Sequence, residues 1–267
     1  MTREQLQEYI KCAQNPVYFL NTYGKILNIE KKPVQLAPLK CFQYQEDIIK
    51  KFQKFQNNIV LKSRQTGLSV ITAGFVVWTL LFKTDQQVVI VANDRNGAVR
   101  FLGTVKQFLD NIPLEYKFLL PTSRIKDNEQ EIIFSNGNKV KAVAAGKNAV
   151  RGETPTLLIL DETAFIENAN SIWTAASLAL SGTKGKCIMI STPYGKGNLY
   201  YDTWIAAVER KNDFVPTEIH WTQHPIYSVG IEEKIDEYGR KYFTSPWYEH
   251  QADPLNHDQI KIAQEPD

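Results

Sequence analysis

The chain has 267 residues, and 31 Lys and Arg against 29 Asp and Glu leave a net charge of only +2. That length allows one large domain or one domain plus an appendage, and 43% hydrophobic with 22% charged residues describes a folded chain rather than a disordered one. The near balance of charge excludes a polybasic binder acting through whole-chain charge, but leaves room for a local basic patch.

Residues 2–13 read as a short amphipathic helix, and 14–40, with Pro16, Pro33 and Pro38, as irregular. The N-terminus is charged without an apolar core, so no signal peptide is expected. A helix follows at 43–55, then the strand NIVLK (58–62), a loop, and an apolar helix from Ser69 to Lys83. Its apolar run, VITAGFVVWTLLF (70–82), is shorter than the ~20 residues a membrane span needs, so it reads as a buried helix. QVVIVA (87–92) is a second buried strand, and Asp94 caps a helix that runs to about Asn111. EIIFS and KVKAVAA flank Asn136-Gly137, a hairpin signal. TLLIL (156–160) and KCIMIS (186–191) are two further buried strands, with helical patterns between them and after Gly197. Apolar strands alternating with helices predict an α/β fold: a mainly parallel sheet flanked by helices on both faces. After about Trp221 the pattern weakens, and 222–267 reads as a small subdomain or linker. Cys12, Cys41 and Cys187 are far apart and odd in number, with no CxxC, so neither a disulfide framework nor a zinc site is expected. His220, His224, His250 and His257 show no metal-ligand spacing.

KSRQTGLS (62–69) joins a strand to a helix. The phosphate-binding loop GxxxxGK[ST] cradles phosphates with backbone N–H groups and a helix N-terminus. Here Gly67 and Ser69 occupy the second Gly and the Ser/Thr places. Leu68 stands where the Lys belongs, and Lys62 where the first Gly belongs. A phosphate cradle needs amides, a helix N-terminus and a cation within reach. Ser63, Gln65, Thr66, Gly67 and Leu68 would supply the loop, and Lys62 or Arg64 the cation. Ser69 opens the helix and could ligate Mg²⁺. An ordinary strand–helix turn with solvated cations is the competing reading.

In TLLILDETAF (156–165), an apolar strand runs straight into Asp161-Glu162. Ligands of parallel sheets bind at the carboxyl ends of the strands, so both acids emerge at the edge where a nucleotide would sit. Asp161 would then hold Mg²⁺, and Glu162 would orient and polarise the attacking water. An Asp-Glu pair at a helix start is also favourable on electrostatic grounds alone.

Together KSRQTGLS, NAVRGETP (148–155), LLILDETAF and IMISTPYGKGNLYYDTW (188–204) resemble the ATPase half of the large terminase subunit of tailed bacteriophages, a viral DNA-packaging motor. The resemblance runs from about Pro16 to about Trp221, and DQIKIAQE (258–265) resembles the segment that precedes the nuclease half of that family. It implies a RecA-like P-loop NTPase fold. Residues 1–221 would form the ATPase domain, with a lead-in at 1–40 and a nucleotide-binding core at 41–221. Residues 222–267 would lead towards a nuclease half absent from this chain, so no DNA cutting is expected here.

The same resemblance implies roles. Some family members carry the loop lysine at the front, which gives Lys62 the phosphate role, with Arg64 a partner or sensor. Arg151, eleven positions before Glu162, matches an arginine that completes a neighbour's active site. Such a finger can raise turnover by ~10³–10⁵-fold. Ser191-Thr192 lies where the family's coupling motif lies. Gln45 resembles the glutamine that reads the adenine edge, with Phe42 or Tyr44 available to stack on the base. The implied cofactors are ATP and Mg²⁺. The implied partners are double-stranded DNA, the portal of a procapsid, the small terminase subunit and further copies in a ring, expected to be a pentamer. Work in the host cytoplasm without a membrane is implied. Lys139, Lys141, Lys147, Lys184 and Lys186 are the lysines available to touch DNA. Two other readings stay open at this point: a helicase-like NTPase, and an assembly module that has lost hydrolysis along with the usual lysine.

Overall fold

The computed structural model describes residues 1–28, 33–119, 123–146, 148–236 and 238–252. The chain begins with α1 (Arg3–Gln14) and α2 (Pro16–Tyr23), then a hairpin of β1 (Lys25–Asn28) and β2 (Gln35–Pro38). α3 (Gln43–Lys54), β3 (Asn57–Lys62), α4 (Leu68–Phe82), β4 (Gln87–Ala92) and α5 (Arg95–Asp110) follow. Next come β5 (Arg124–Asp127), β6 (Glu131–Phe134), β7 (Lys139–Ala144), β8 (Leu157–Asp161), α6 (Ala169–Thr183), β9 (Lys186–Ser191), α7 (Leu199–Val208) and β10 (Phe214–Ile219). A last hairpin, β11 (Glu232–Ile235) and β12 (Lys241–Thr244), leads into α8 (Pro246–Ala252).

The eight-stranded central sheet runs β10-β3-β9-β8-β4-β7-β6-β5. The first six strands are parallel, and the β6–β7 hairpin turns the far edge antiparallel. The predicted α/β architecture is therefore present, as are the hairpin at Asn136-Gly137 and the four buried strands. β10 is an addition the pattern reading missed. It carries Pro216 and, among the described strands, pairs with β3 alone, as suits an edge strand that cannot donate at every position.

The irregular stretch expected at 14–40 is a correction. Asn15 caps α2 by accepting the Tyr18 N–H at 2.9 Å, and Pro16 takes the first helical position, where a missing N–H costs nothing. Proline there starts a helix rather than breaking one. α1 and α2 explain why α4 is apolar all round. One side of α4 lies on the sheet, and the other is covered by these two helices. The Trp78 indole N–H donates to the Cys12 carbonyl at 2.9 Å. Gly74 admits Leu20 so closely that a Cβ would lie 2.5 Å from its Cδ2.

Two apolar layers sandwich the sheet. Ile90, Val140, Ile159 and Ile188 point towards α3, α4 and α5; Val89, Leu158, Cys187 and Met189 point towards α6 and α7. Burial of this kind stabilises by roughly 25 cal/mol per Å² of apolar surface, which makes the sheet a rigid platform for its loops. The three cysteines are unpaired. Residues after Trp221 fold back on it: Tyr248 stacks on Trp221 at 5.1 Å, and Trp247 on Tyr227 at 3.9 Å. Among the described residues no helix is long and apolar enough to cross a membrane. The segment 258–265 and Lys147 lie outside the described residues.

Candidate nucleotide site

Strand register brings the candidate residues together. Leu61 pairs with Ser191 across β3 and β9, and Asp161 pairs with Ile190 across β8 and β9. Lys62, Asp161 and Ser191 therefore leave the sheet side by side at its carboxyl edge. A cleft of about 400 Å³ opens there, lined by Lys62, Arg64, Gln65, Asp161, Glu162 and Thr192, with Asn93, Asp94 and Arg100 on its far wall. Arg64 is exposed.

The loop from Ser63 to Gly67 is held by its own backbone. Ser63 N–H donates to Ile219 O of β10 at 2.9 Å, which ties the loop to the sheet edge. Gln65 and Gly67 adopt left-handed φ values of 58° and 72°. At Gly67 a side chain would be strained by conformation, and a Cβ would meet Gln45 Nε2 at 2.9 Å. Gly67 then hands the chain to α4, whose N-terminus opens towards the cleft.

The two lysine places of the loop are resolved by burial. Leu68 is packed in the apolar core, so the usual lysine place presents nothing to the cleft. Lys62 reaches the cleft from the end of β3, and its Nζ lies 2.7 Å from Glu162 Oε1. Glu162 sits at the strand exit with φ of 51°, a strained conformation for a residue with a side chain. Its second oxygen, Oε2, accepts the Thr192 N–H at 3.1 Å and lies 3.4 Å from the Thr192 hydroxyl. Ser191 Oγ accepts the Ala164 N–H at 3.1 Å, and Phe165 packs on Tyr194 at 4.3 Å. The Ser191-Thr192 pair is thus attached directly to the turn that carries Glu162.

Asp161 Oδ1 lies 3.4 Å from Ser69 Oγ. Burial, and then the charge of Glu162, push the Asp161 carboxyl up to about 6. One recessed carboxylate beside a hydroxyl is an oxygen donor set of the kind Mg²⁺ uses, together with substrate phosphates and water. Among the described residues there is no group of three or more His, Cys, Asp or Glu able to hold a metal.

Gln45 is placed differently from a free base reader. It is buried, its Oε1 accepts the Phe42 N–H at 3.0 Å, and its Nε2 donates to Thr66 O at 3.0 Å. Tyr44 OH donates to the same carbonyl at 2.7 Å. Both side chains of α3 therefore clamp the phosphate loop. Phe42 packs edge-on against His224 at 4.8 Å, and His224 stacks on Tyr227 at 3.6 Å. Tyr227 OH in turn donates to Gln65 O at 3.1 Å, a contact between the late segment and the loop that pattern reading missed. His224 thus packs between aromatic rings.

Arg151 does not line the cleft; it sits exposed on a turn between β7 and β8. The lysines considered for DNA are partly engaged elsewhere. Lys139 and Lys141 pair with Glu153, and Lys186 donates inward to the Gln53 and Phe55 carbonyls at 3.1 and 2.6 Å. Burial, with the charge of Lys83, pulls the Lys186 ammonium below its ordinary value. Lys184 is exposed at the C-cap of α6. Asn93 and Arg100 have no place in the sequence reading, and Asp94 enters it only as a helix cap. The rule that ligands sit at strand carboxyl ends, applied to β4, would have found Asn93 and Asp94.

Comparison with known proteins bears on the family and the fold. A family model described as terminase large subunit, T4likevirus-type, N-terminal, matches residues 59–260. The fold is similar to the large terminase ATPase domain of Thermus phage P74-26, with a TM-score of 0.64, 18% identity, and cover of 85% of this chain and 92% of that one. It is also similar to the HK97 bacteriophage large terminase, with a TM-score of 0.70, 17% identity, and cover of 98% and 53%. The large terminase of a thermophilic bacteriophage in complex with ADP gives a TM-score of 0.54 at 12% identity, with cover of 68% and 46%. The chain spans about half the length of these last two proteins. The structural likeness establishes a RecA-like α/β fold, and the family match runs over most of the chain. The chain belongs to the terminase large subunits of the T4-like-virus type, in their N-terminal region.

Proposed function

We propose that the cleft binds and hydrolyses ATP with Mg²⁺, and that the hydrolysis drives double-stranded DNA into a procapsid. The observation that carries the reading is the pairing of Lys62 with Glu162 at 2.7 Å, beside the Asp161–Ser69 contact at 3.4 Å. One site then holds a phosphate-type cation, a base and a metal donor set at the end of a phosphate loop.

The amides of the loop and the α4 N-terminus face the phosphates, and Lys62 offsets their charge. Ser69 and Asp161 would hold Mg²⁺, which when bound supplies a hard cation that offsets charge on the phosphate oxygens. A phosphate entering the loop competes with Glu162 for Lys62. Glu162, released from that ion pair and still oriented by Thr192, accepts the proton of the attacking water. Loss of the terminal phosphate returns Lys62 to Glu162. The change reaches Ser191 and Thr192 through the same bonds, and reaches the segment after Trp221 through Tyr227 on the loop. Arg151, outside its own cleft, acts on the nucleotide of the adjacent copy in a ring. Arg64 and Arg100 add cationic character to the phosphate end. ADP bound to the thermophilic phage relative supports nucleotide binding here. By family, the portal and the small terminase subunit are the assembly partners.

The metal assignment has its own test. Asp161→Asn should remove the Mg²⁺-dependent part of ADP stabilisation in thermal melts, while ADP without Mg²⁺ stabilises variant and wild type alike. An unchanged Mg²⁺ increment in the variant would refute the role of Asp161.

A further inference from the structure

The turn that carries Arg151 is held from below by one carboxylate. Val150 is buried between the sheet and α6–α7, and Gly152 bends the chain with a φ of 80°. Glu153, the next residue, turns back under the bend. Its Oε1 lies 2.7 Å from Lys141 Nζ and its Oε2 3.3 Å from Lys139 Nζ. Lys139 and Lys141 are two apart on β7, so both stand on the same face of the sheet. The Glu153 side chain is 12% exposed. Burial alone would raise its carboxyl, but hydrogen bonds from Lys141 and Lys139 hold it below the ordinary carboxylate range. Among the described residues, the Arg151 guanidinium hydrogen-bonds within its own turn, to Asn148 Oδ1 at 3.4 Å. Its direction is therefore set by what anchors the turn to β7.

We propose that Glu153, clamped by Lys139 and Lys141, is a positioning residue that aims Arg151 at the nucleotide of the neighbouring copy; this rests on the reading that Arg151 acts across subunits. It also assigns the two β7 lysines to the turn rather than to DNA. Each carboxylate oxygen takes one lysine, so the clamp fixes rotation as well as distance. Glutamine at 153 keeps the size of the side chain but leaves two like charges facing each other, and the turn loses its fixed bearing on the sheet.

The test mixes subunits in the assembled, DNA-stimulated motor and reads phosphate release. Arg151→Ala copies keep an intact cleft but lack the finger. Glu162→Gln copies have a dead cleft but keep the finger. Mixing the two should restore activity that neither has alone. A donor carrying both Glu162→Gln and Glu153→Gln should restore about tenfold less, the scale expected when a catalytic group is displaced by a fraction of its reach. A donor carrying Glu162→Gln with Lys139→Gln and Lys141→Gln breaks the same clamp from its other side, and covers the case in which Glu153→Gln folds poorly. It should show the same deficit, and combining all four changes should not deepen it. Because the donor's own cleft is already dead, damage to that cleft cannot produce the deficit. Restoration equal to that of the simple donor overturns the positioning role of Glu153. Failure of the reference mixture to restore activity overturns the trans reading of Arg151, and this inference with it.

Discussion

Replacing Glu162 by Gln should lower ATP turnover by ~10²–10⁴-fold, the range a positioned general base contributes. The carboxylate is one atom exchange away from an amide of equal size, so the fold and the loop should be unaffected. The amide cannot take the proton of water, and it also gives up the ion pair with Lys62. Lys62 is then free for phosphate in the resting protein. ATP affinity should therefore equal or exceed that of the wild type. Steady-state phosphate release and titration with a fluorescent ATP analogue would separate the two effects. Near-normal release would remove Glu162 from the chemistry. Weakened binding would mean that the pair with Lys62 supports the site rather than competing with ATP.

Lys62→Ala should cost both binding and turnover. A hydrogen bond to a charged group contributes about 1.5–3 kcal/mol, so ATP affinity should fall by ~10–100-fold. Turnover should fall further, because the charge building on the transferred phosphoryl loses its nearest cation. A second variant makes the test specific. Lys62→Ala combined with Leu68→Lys puts a lysine back at the usual place of the loop. It should not rescue, since the side chain at 68 points into the apolar core and not into the cleft. Burying an ammonium there should also destabilise the chain. Rescue would show that position 68 can reach the phosphates and that Lys62 is not the loop lysine.

Much of this site was legible because its parts obey local rules. An apolar strand running into Asp161-Glu162 can only deliver both acids to the carboxyl edge of a parallel sheet. Lys62, at the end of another such strand, lands on the same edge. What could not be read was which side of each loop residue faces the cleft. Gln45 is an unremarkable helical glutamine in sequence. Its amide binds Phe42 and Thr66 because α3 packs against the loop, and that packing is a tertiary fact. Likewise Lys139 and Lys141 look like solvated hairpin lysines until the β7–β8 crossover lays Glu153 across them. The pattern predicts an irregular stretch where α2 lies because Pro16 reads as a breaker, whereas at the first helical position it is a starter. β10 escapes a pattern reading because its Pro216 is tolerable only at a sheet edge, and the edge is defined by its partner β3. The Tyr227 contact with Gln65 joins residues 162 positions apart, beyond the reach of any local pattern.

A motor domain of this kind must couple ATP hydrolysis to duplex DNA. The most direct measurement is the Mg²⁺-dependent rate of phosphate release from ATP by the wild-type chain, alone, with double-stranded DNA and with single-stranded DNA of matched length. Hydrolysis should be abolished by EDTA and stimulated more by duplex than by single strands. Absence of hydrolysis under all three conditions, or stimulation confined to single strands, would contradict that coupling.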